Sequence, residues 1–266
     1  MSRPWPIKIG EKNGDLVIID KFYDKKLECR FVTVVCKCGT QWNRSLRLFL
    51  KYKSQKCIRC KKSIYSHNKK FFSKFTPISC YWAGFLAADG CISQDGSYIG
   101  FGLQIRDKQV LEQFKTDIEF TGPILDIKRT KSSKLQIYSA HELTYHLENS
   151  YNIVPNKSLI LKPPFELQNQ SLIKHFLIGI IDGDGCIKFC KRDKTLILDI
   201  CGASEPFLNW IRFQLESIYD LPHKIFYRQK GTKCQTYRIQ GKSARTVLFD
   251  LKSIAIRKLD RKWDKV

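Results

Sequence analysis

The sequence predicts an α+β fold that consists of two pseudo-symmetric halves, each of the order αββαββα, and a small separate module at the N-terminus. Two observations predict the halves. The segment Tyr81–Ile92 (YWAGFLAADGCI) is repeated as Phe176–Ile187 (FLIGIIDGDGCI), 95 residues further along the chain. The residues that follow each copy also show the same succession of strand and helix patterns. A third observation, a basic segment with its own cysteine spacing in residues 1–75, separates the N-terminal module.

After the first copy, the apolar residues change period several times. Tyr98–Ile105 alternates as a strand does, and Lys108–Phe120 has apolar residues at 110, 111, 114 and 118, which is a helical spacing. Two further predicted strands, Ile124–Lys128 and Leu135–Tyr138, and a helix around His141–Asn149 complete this half.

The second copy is followed by the same order of elements. The predicted elements are a strand Leu196–Ile200, a helix Glu205–Tyr219, the strands Lys224–Tyr227 and Thr236–Ile239, and a helix Ser243–Leu251. A stretch with two adjacent prolines, residues 162–170, is the predicted linker between the halves. The predicted domains are therefore residues 1–75, 76–161 and 171–266.

Small residues recur four positions apart in the repeated segment. They are Gly84 and Ala88 in the first copy and Gly179 and Gly183 in the second. On a helix each pair shares one face and leaves it nearly flat. We therefore expect the two helices to pack against each other backbone to backbone.

Each of these helices is expected to end in an aspartate followed by a glycine. We expect Gly90 and Gly185 to adopt the left-handed conformation that ends many helices. Asp89 and Asp184 stand one residue earlier, where the helix dipole disfavours a carboxylate by about 0.3–1 kcal/mol. Packing the helices together brings the carboxylates together, which costs more. A divalent cation bound beside the two carboxylates would offset this unfavourable electrostatic energy, and oxygen ligands favour Mg²⁺. Mg²⁺ beside a surface that binds phosphates indicates phosphodiester hydrolysis.

The chain carries a strong positive charge. Its 47 Lys and Arg residues outnumber 25 Asp and Glu residues, which gives a net charge of +22, and residues 1–75 alone carry +14. No acidic residue occurs between Glu28 and Asp89, which is typical of a surface that lies along phosphates. An apolar fraction of 43% excludes a disordered chain, and no apolar run has the ~18 residues of a membrane span. We therefore expect nucleic acid as the partner and no membrane association.

The two repeated segments resemble the motif of the LAGLIDADG homing endonucleases, in the stretches Trp82–Gly90 and Leu177–Gly185. The resemblance extends from residue 76 to the C-terminus. It implies a monomer in which the motif helices form the interface between the halves and two four-stranded antiparallel sheets form a saddle over double-stranded DNA. It also implies that Asp89 and Asp184 are the catalytic residues and bind Mg²⁺.

The resemblance places further residues in the site. Gln104 looks like the polar strand residue that the family has near the metal-bound water, and its expected counterpart in the second half is Asp199. The family also has a lysine after the last helix of each half, which implies Lys157 and Lys258. A lysine near the scissile phosphate stabilises developing charge and helps to orient water. The sheet residues expected to touch DNA are Gln136, Tyr138, Arg228 and Arg238.

A cysteine pattern in residues 1–75 lies outside the resemblance. Cys36 and Cys38 are followed by Cys57 and Cys60, a spacing close to that of zinc ribbons. Four thiolates suit tetrahedral Zn²⁺, and a short segment with few apolar residues gains much of its stability from such a metal. Cys29 is an alternative ligand. The six cysteines beyond residue 75 are expected to pack as small hydrophobes.

The same N-terminal module contains a predicted helix, Ser45–Tyr52, in a stretch without carboxylates. Basic side chains in this arrangement suit phosphates or base edges. Those expected to bind DNA are Arg44, Arg47, Lys51 and Lys53. We therefore predict that the module is a DNA-binding extension held together by zinc.

The sequence thus predicts a site-specific endonuclease that makes a double-strand break in a long DNA target by Mg²⁺-dependent hydrolysis. Two alternatives stay open: an intron RNA maturase, which binds its own intron RNA, and a sequence-specific DNA-binding protein that does not cleave. The presence of both motif aspartates favours cleavage. The start of the chain has no hydrophobic stretch, which indicates an intracellular protein, and abundant Lys, Ile, Asn and Phe suit an AT-rich organellar or phage genome.

Overall fold

The computed structural model describes residues 4–52, 55–57, 65–228 and 234–266. The chain divides into two compact units, residues 1–63 and 64–266. This boundary falls earlier than the predicted one at residue 75, because the segment before the first motif helix belongs to the second unit. The backbone N–H of Ser66 donates to Thr121 Oγ1 at 2.8 Å, and Phe72 is fully buried in the core of the second unit.

The N-terminal unit contains a four-stranded antiparallel sheet in the order β1-β2-β3-β4. Its strands are β1 (Lys12–Asn13), β2 (Leu16–Asp24), β3 (Cys29–Cys36) and β4 (Gln41–Ser45). Helix α1 (Leu46–Lys51) follows, and the Ser45 hydroxyl caps its N-terminus. The helix confirms the prediction. The sheet was not predicted, although the buried Val32 and Val34 alternate with partly exposed neighbours along β3 as a strand requires.

Each half of the second unit has the predicted order αββαββα. The first half contains α2 (Pro77–Asp89), β5 (Cys91–Ile92), β6 (Tyr98–Gln104), α3 (Lys108–Asp117), β7 (Ile124–Ile127), β8 (Ser132–Tyr138) and α4 (His141–Tyr151). The second half contains α5 (Gln170–Gly183), β9 (Gly185–Cys190), β10 (Thr195–Gly202), α6 (Glu205–Tyr219), β11 (Tyr227–Arg228), β12 (Gln235–Gln240) and α7 (Lys242–Ile254), followed by the short α8 (Asp260–Trp263). The strands form two four-stranded antiparallel sheets, β5-β6-β8-β7 and β9-β10-β12-β11, which confirms the predicted fold class.

The strand register relates the two halves residue by residue. Cys91 pairs with Gly100 in the first half, and Cys186 pairs with Asp199 in the second. Gly100 therefore corresponds to Asp199, and the expected correspondence of Gln104 with Asp199 is wrong. The hairpin formed by β9 and β10 is longer than the one formed by β5 and β6. The spacing of 95 residues that relates the two motifs therefore does not relate equivalent residues beyond the motif.

Helices α2 and α5 pack against each other backbone to backbone, as the small residues predict. A Cβ on Gly84 would overlap the backbone oxygen of Phe176, and a Cβ on Gly179 would overlap the backbone oxygen of Tyr81. The two helices thus form the common spine of both halves, and their apolar side chains are buried on almost every side. No helix in the described part of the chain is long and apolar enough to cross a membrane.

The glycines after these helices have a different role from the predicted one. Gly90 has φ −73°, and Gly185 is not among the described residues with positive φ, so the expectation of a left-handed conformation is wrong. A Cβ on Gly90 would lie 2.5 Å from the backbone oxygen of Leu86, and a Cβ on Gly185 would lie 2.6 Å from that of Ile181. The chain passes so closely over the last helical turn that only a residue without a side chain leaves room.

Gly179→Ala is expected to destabilise the second unit, because the added methyl group would push α2 and α5 apart. Overpacking of this kind typically costs about 1–3 kcal/mol. Urea-induced unfolding of the purified variant measures the change. Gly202→Ala is the matched control, because a Cβ at Gly202 would lie 3.7 Å from Leu208 Cδ1, an ordinary contact distance. Equal stability losses in both variants would contradict the close helix packing.

Candidate active site

The ends of the paired helices bring the two motif aspartates together. Asp89 is the last residue of α2, and Asp184 directly follows the last residue of α5. The residues before them are in direct contact, since a Cβ on Gly183 would overlap the side chain of Ala88. Within the part of the chain that the structure describes, neither carboxylate accepts a hydrogen bond from another side chain. The site therefore holds two adjacent carboxylates that have no hydrogen-bonding partner within residues 4–52, 55–57, 65–228 and 234–266.

The surroundings of these carboxylates disfavour their charged forms. Burial is the main cause that raises the pKa of Asp184 to about 6, and the negative charge of Asp89 adds to it. Burial also raises the pKa of Asp89. The ammonium groups of Lys157 and Lys262 act in the opposite direction on both carboxylates. Both aspartates are nevertheless exposed as residues, so the carboxylates are partly desolvated and still accessible to a ligand.

Lys157, predicted as a site residue, lies at the end of the first motif helix. Its side chain is buried, and Nζ donates to the backbone oxygens of Ala88 at 3.2 Å and Gly90 at 2.8 Å. Burial lowers the pKa of Lys157, while the charges of Asp184 and Asp89 oppose this shift. The ammonium group therefore lies within the electrostatic reach of both motif carboxylates.

Lys262 occupies the equivalent place at the end of the second motif helix. Its Nζ donates to the backbone oxygens of Gly183 at 3.0 Å and Gly185 at 2.7 Å. These carbonyls follow those of Ala88 and Gly90 by the 95 residues of the repeat, so Lys262 is the structural counterpart of Lys157. It also donates to the oxygens of Ile181 and Asp182. The sequence did not identify this lysine.

Lys258, which the sequence paired with Lys157, lies elsewhere. Its Nζ forms an ion pair with Asp260 at 2.7 Å, and its side chain borders a cavity beside Asp107 and Arg261 rather than the carboxylates. The expected pairing with Lys157 is therefore wrong. The chain between α7 and the site lysine is longer than the chain between α4 and Lys157, and it includes the start of the additional helix α8. Lys262, one helical turn after Lys258, is therefore the lysine that reaches the motif helix.

Gln104 and Asp199 also differ from the expectation for the strands. Gln104 is the last residue of β6, is exposed, and stands opposite Ser132. Asp199 is buried and held by Arg238, at 2.5 and 2.8 Å, and by Lys188 at 3.1 Å. Burial acts to raise the pKa of Asp199, but these hydrogen bonds outweigh it and lower the pKa. The negative charge of Asp199 is therefore already balanced by the positive charges of Arg238 and Lys188.

Asp182, at the sixth position of the second motif, has a purely internal environment. It is buried and accepts hydrogen bonds from Tyr81 Oη at 2.9 Å, the Leu259 N–H at 2.8 Å and Trp263 Nε1 at 2.6 Å. Burial raises its pKa to about 6. These contacts attach the C-terminal segment to α5, a role that sequence reasoning did not find. The first motif has Ala87 at this position and lacks the corresponding anchor.

Three of the predicted DNA-contacting residues, Gln136, Tyr138 and Arg238, lie on the sheet faces opposite the core. Along β8, Leu135 and Ile137 are buried, whereas Gln136 and Tyr138 alternate with them on the other side. Tyr138 is 50% exposed, and its ring centroid lies 5.3 Å from that of Tyr98. The guanidinium of Arg238 lies 5.6 Å from the centroid of the Tyr227 ring and binds Asp199. Arg228 ends β11, and its side chain lies outside the described part of the structure.

Comparison with known proteins gives similarity in structure only. No family model and no curated protein matches the sequence. The LAGLIDADG meganuclease I-AabMI bound to uncleaved DNA is 13% identical with a TM-score of 0.46, and the match covers 71% of this chain and 87% of that one. The LAGLIDADG homing endonuclease I-SmaMI bound to cleaved DNA is 14% identical, with a TM-score of 0.48 and coverage of 72% and 87%. The N-terminal LAGLIDADG domain of DUF199/WhiA is 15% identical, with a TM-score of 0.46 and coverage of 75% and 93%.

The chain is similar to LAGLIDADG proteins. Both motif helices end at an aspartate that is partly desolvated and that has no hydrogen-bonding partner among the residues the structure describes. Burial raises the pKa of both carboxylates, and the charge of Asp89 also raises that of Asp184. Carboxylate oxygens of this kind suit a hard divalent cation. The residues present therefore fit Mg²⁺, which Asp89 and Asp184 would hold.

A second candidate metal centre lies in the N-terminal unit. The sulfur atoms of Cys36, Cys38 and Cys57 all lie within 4.8 Å of one another, and those of Cys38 and Cys57 are 3.3 Å apart. Cys60, the fourth predicted ligand, lies outside the described residues. Cys29, the alternative ligand, begins β3, whereas Cys36 ends it, so Cys29 stands at the other end of the strand. The structure thus brings three of the four predicted zinc ligands together and excludes Cys29 from the cluster.

The basic residues predicted near this cluster lie on β4 and α1. Arg47 and Lys51 are exposed on α1, and Lys51 lies over the ring of Tyr52 at 5.3 Å. Arg44 is half-buried on β4, and Lys53 lies outside the described residues. Arg47 and Lys51 are thus exposed to solvent, and their contact with DNA stays a prediction.

Purified protein is expected to contain one zinc ion per chain, bound by the thiolates of the N-terminal unit. Elemental analysis of the full chain measures the content. Cys36→Ser and Cys57→Ser are each expected to remove the zinc, and Cys29→Ser, the matched control, is expected to retain it. A folded chain without zinc, or zinc loss in Cys29→Ser, would contradict this prediction.

Proposed function

We propose that this protein is a site-specific, Mg²⁺-dependent endonuclease of the LAGLIDADG type that makes a double-strand break in DNA. One observation carries the proposal: the two motif helices place Asp89 and Asp184 side by side, and Lys157 and Lys262 are anchored beside them at equivalent carbonyls. A structural role gives no reason to arrange two repelling carboxylates at two helix C-termini. A cation that both carboxylates bind and that acts on a phosphate would explain the arrangement.

The chemistry follows from these four side chains. Bound Mg²⁺ would supply positive charge at the reacting phosphate and lower the pKa of water. Asp89 and Asp184 are the oxygen ligands available for it. Lys157 and Lys262 keep positive charge fixed next to the place where negative charge develops on the phosphate, which stabilises the transition state. Their buried stems and backbone hydrogen bonds fix the ammonium groups before DNA binds.

The pseudo-symmetry of the unit suits two antiparallel strands. Each half supplies one motif aspartate, one lysine and one four-stranded sheet. We infer that the exposed sheet faces, with Gln136, Tyr138 and Arg238, lie along the DNA and that each half acts on one strand. One chain supplies both halves, so it acts as a monomer. The positive charge of the N-terminal unit adds phosphate contacts.

Selection followed by cleavage tests the proposal. A double variant, Asp89→Asn with Asp184→Asn, keeps the shape of the site without its charge and is used to select binding sites from random duplex DNA. The enriched sequence is then cloned into a plasmid and incubated with the unaltered protein and Mg²⁺. We expect linear plasmid, and intact plasmid in the presence of EDTA or with the double variant.

The same experiment separates the alternatives from the proposal. An enriched duplex that the unaltered protein binds and leaves intact with Mg²⁺ would contradict cleavage and indicate a DNA-binding protein. Failure to enrich any duplex, together with tight binding of the host intron RNA, would indicate a maturase instead.

A further inference from the structure

Each lysine of the candidate site is carried by a segment that leaves its own half and packs on the other half. Residues 153–161 follow α4 of the first half and reach the start of α6 in the second half. Residues 255–263 follow α7 of the second half and reach α3 in the first half. The contacts that join them are Leu161 with Ser204 and Arg261 with Asp107.

The segment that carries Lys262 is attached to both ends of α3. Arg261 donates to the two carboxylate oxygens of Asp107 at 2.7 and 2.8 Å, and Asp107 is 5% exposed. Arg257 donates to the two oxygens of Asp117, at the C-terminal end of α3, at 2.9 and 2.7 Å. Paired hydrogen bonds between a guanidinium and a carboxylate fix both position and orientation. Because Lys262 is the residue next to Arg261, these contacts fix its backbone.

The segment that carries Lys157 is attached by neutral contacts. The hydroxyl of Ser204 donates to the backbone oxygen of Leu161 at 2.5 Å, and both residues are buried. The N–H of Leu161 donates in turn to the backbone oxygen of Lys157 at 2.8 Å. A single turn of chain thus connects Ser204 in the second half to the lysine of the first half.

Asp107 and Ser204 occupy the same position in the two halves. Asp107 is the N-cap residue of α3, and Ser204 is the N-cap residue of α6. Side chains of these types at this position ordinarily accept hydrogen bonds from the first turn of the helix, which stabilises it by about 1 kcal/mol. Neither side chain makes such a bond here. Both are directed instead to the lysine-bearing segment of the opposite half.

We propose that Asp107 and Ser204 are positioning residues that hold the site lysine of the opposite half, so that each site is completed only when the two halves are docked. Asp107 positions Lys262 through Arg261, and Ser204 positions Lys157 through Leu161. This inference rests on the proposed endonuclease function. It predicts that a change in one half acts on the chemistry of the other.

Strand-resolved cleavage tests the proposal. Both strands of the selected duplex are end-labelled, and single-turnover rates are measured for each strand with the full chain. Lys262→Gln and Lys157→Gln serve as references that show which strand each lysine serves. Asp107→Asn is expected to slow the Lys262 strand, and Ser204→Ala the Lys157 strand, by roughly tenfold, since a displacement of about 1 Å can cost up to about 10²-fold.

The controls separate positioning from general loss of stability. Asp126→Asn removes the exposed ion pair with Lys108, the neighbour of Asp107, and is expected to leave the strand ratio unchanged. Asp107→Asn combined with Arg261→Gln is expected to be no slower than the single variants, because both remove the same contact. Equal slowing of both strands in Asp107→Asn or Ser204→Ala would overturn the proposal.

Amide hydrogen exchange gives a readout that does not depend on cleavage. Asp107→Asn is expected to lower the protection of residues 255–266 while leaving residues 152–165 unchanged, and Ser204→Ala is expected to do the reverse. Unchanged protection in both variants would overturn the proposal even if the protein cleaves DNA. If the unaltered protein cleaves no duplex, the proposed function fails, and the exchange pattern alone decides whether the two residues hold the opposite segments.

Discussion

Asp89→Asn and Asp184→Asn are each expected to abolish double-strand cleavage and to leave DNA affinity largely intact. Asn keeps the shape of the side chain but removes the negative charge that would hold Mg²⁺. The expected loss in rate is about 10³-fold or more, which corresponds to about 4 kcal/mol of transition-state stabilisation. Single-turnover cleavage of the selected site with Mg²⁺ measures the rate, and a gel-shift titration without the metal measures affinity.

A matched control addresses the effect of charge alone. Asp193→Asn removes an exposed carboxylate that pairs with Arg192 in the turn between β9 and β10, and this variant is expected to cleave normally. Cleavage at the normal rate by either motif variant would refute the assignment of Asp89 and Asp184. A loss of DNA binding equal to the loss of cleavage would mean that the aspartates shape the site rather than act in catalysis.

Lys262→Gln is expected to slow cleavage by about 10²-fold, because a fixed positive charge next to the phosphate is worth this much when removed. Lys258→Gln, four residues earlier on the same segment, is expected to have little effect, because its ammonium group pairs with the surface residue Asp260. Lys157→Gln is expected to match Lys262→Gln on the other strand. Strand-resolved cleavage rates decide between the two lysines of the second half.

Stability measurements distinguish a loss of catalysis in Lys262→Gln from a loss of folding. Lys262 donates to four backbone oxygens, so its loss also weakens the end of α5. Urea unfolding of each variant reports this contribution separately from the cleavage rate. A folded Lys262→Gln that cleaves both strands normally, or a slow Lys258→Gln, would show that the structural assignment of the lysine is wrong.

Local signals in the amino-acid sequence are sufficient to predict the architecture of the second unit. The repeated motif, the changes of apolar period and the turn residues are local signals, and they predict two αββαββα halves correctly. The flat faces made by Gly84 and Gly179 predict the helix pair, because only small residues allow backbones to touch. Asp89 and Asp184 could be proposed as neighbours for the same reason, since they directly follow the faces that pack.

The N-terminal unit was predicted less completely. The cysteine spacing correctly suggested that Cys36, Cys38 and Cys57 lie together, because metal-ligand spacing is local. The four-stranded sheet in this unit was not predicted, although its strands pair in sequence order and β3 shows the alternation of buried and partly exposed residues that a strand requires. The domain boundary was misplaced because Phe72 is buried by residues far along the chain.

The residues that complete the site could not be predicted from local patterns, because long-range packing brings them there. Lys262 rather than Lys258 reaches the motif helix because the chain after α7 is longer than its counterpart, and such differences in length do not alter any local pattern. The residue of the first half that corresponds to Asp199 is Gly100 and not Gln104, because the hairpins of the two halves differ in length. Asp107 and Ser204 directly precede the two predicted helices Lys108–Phe120 and Glu205–Tyr219, where side chains of these types ordinarily cap the helix. Their contacts with the opposite half join residues that are 43 and 154 positions apart in the chain, and no local pattern reports contacts over such separations.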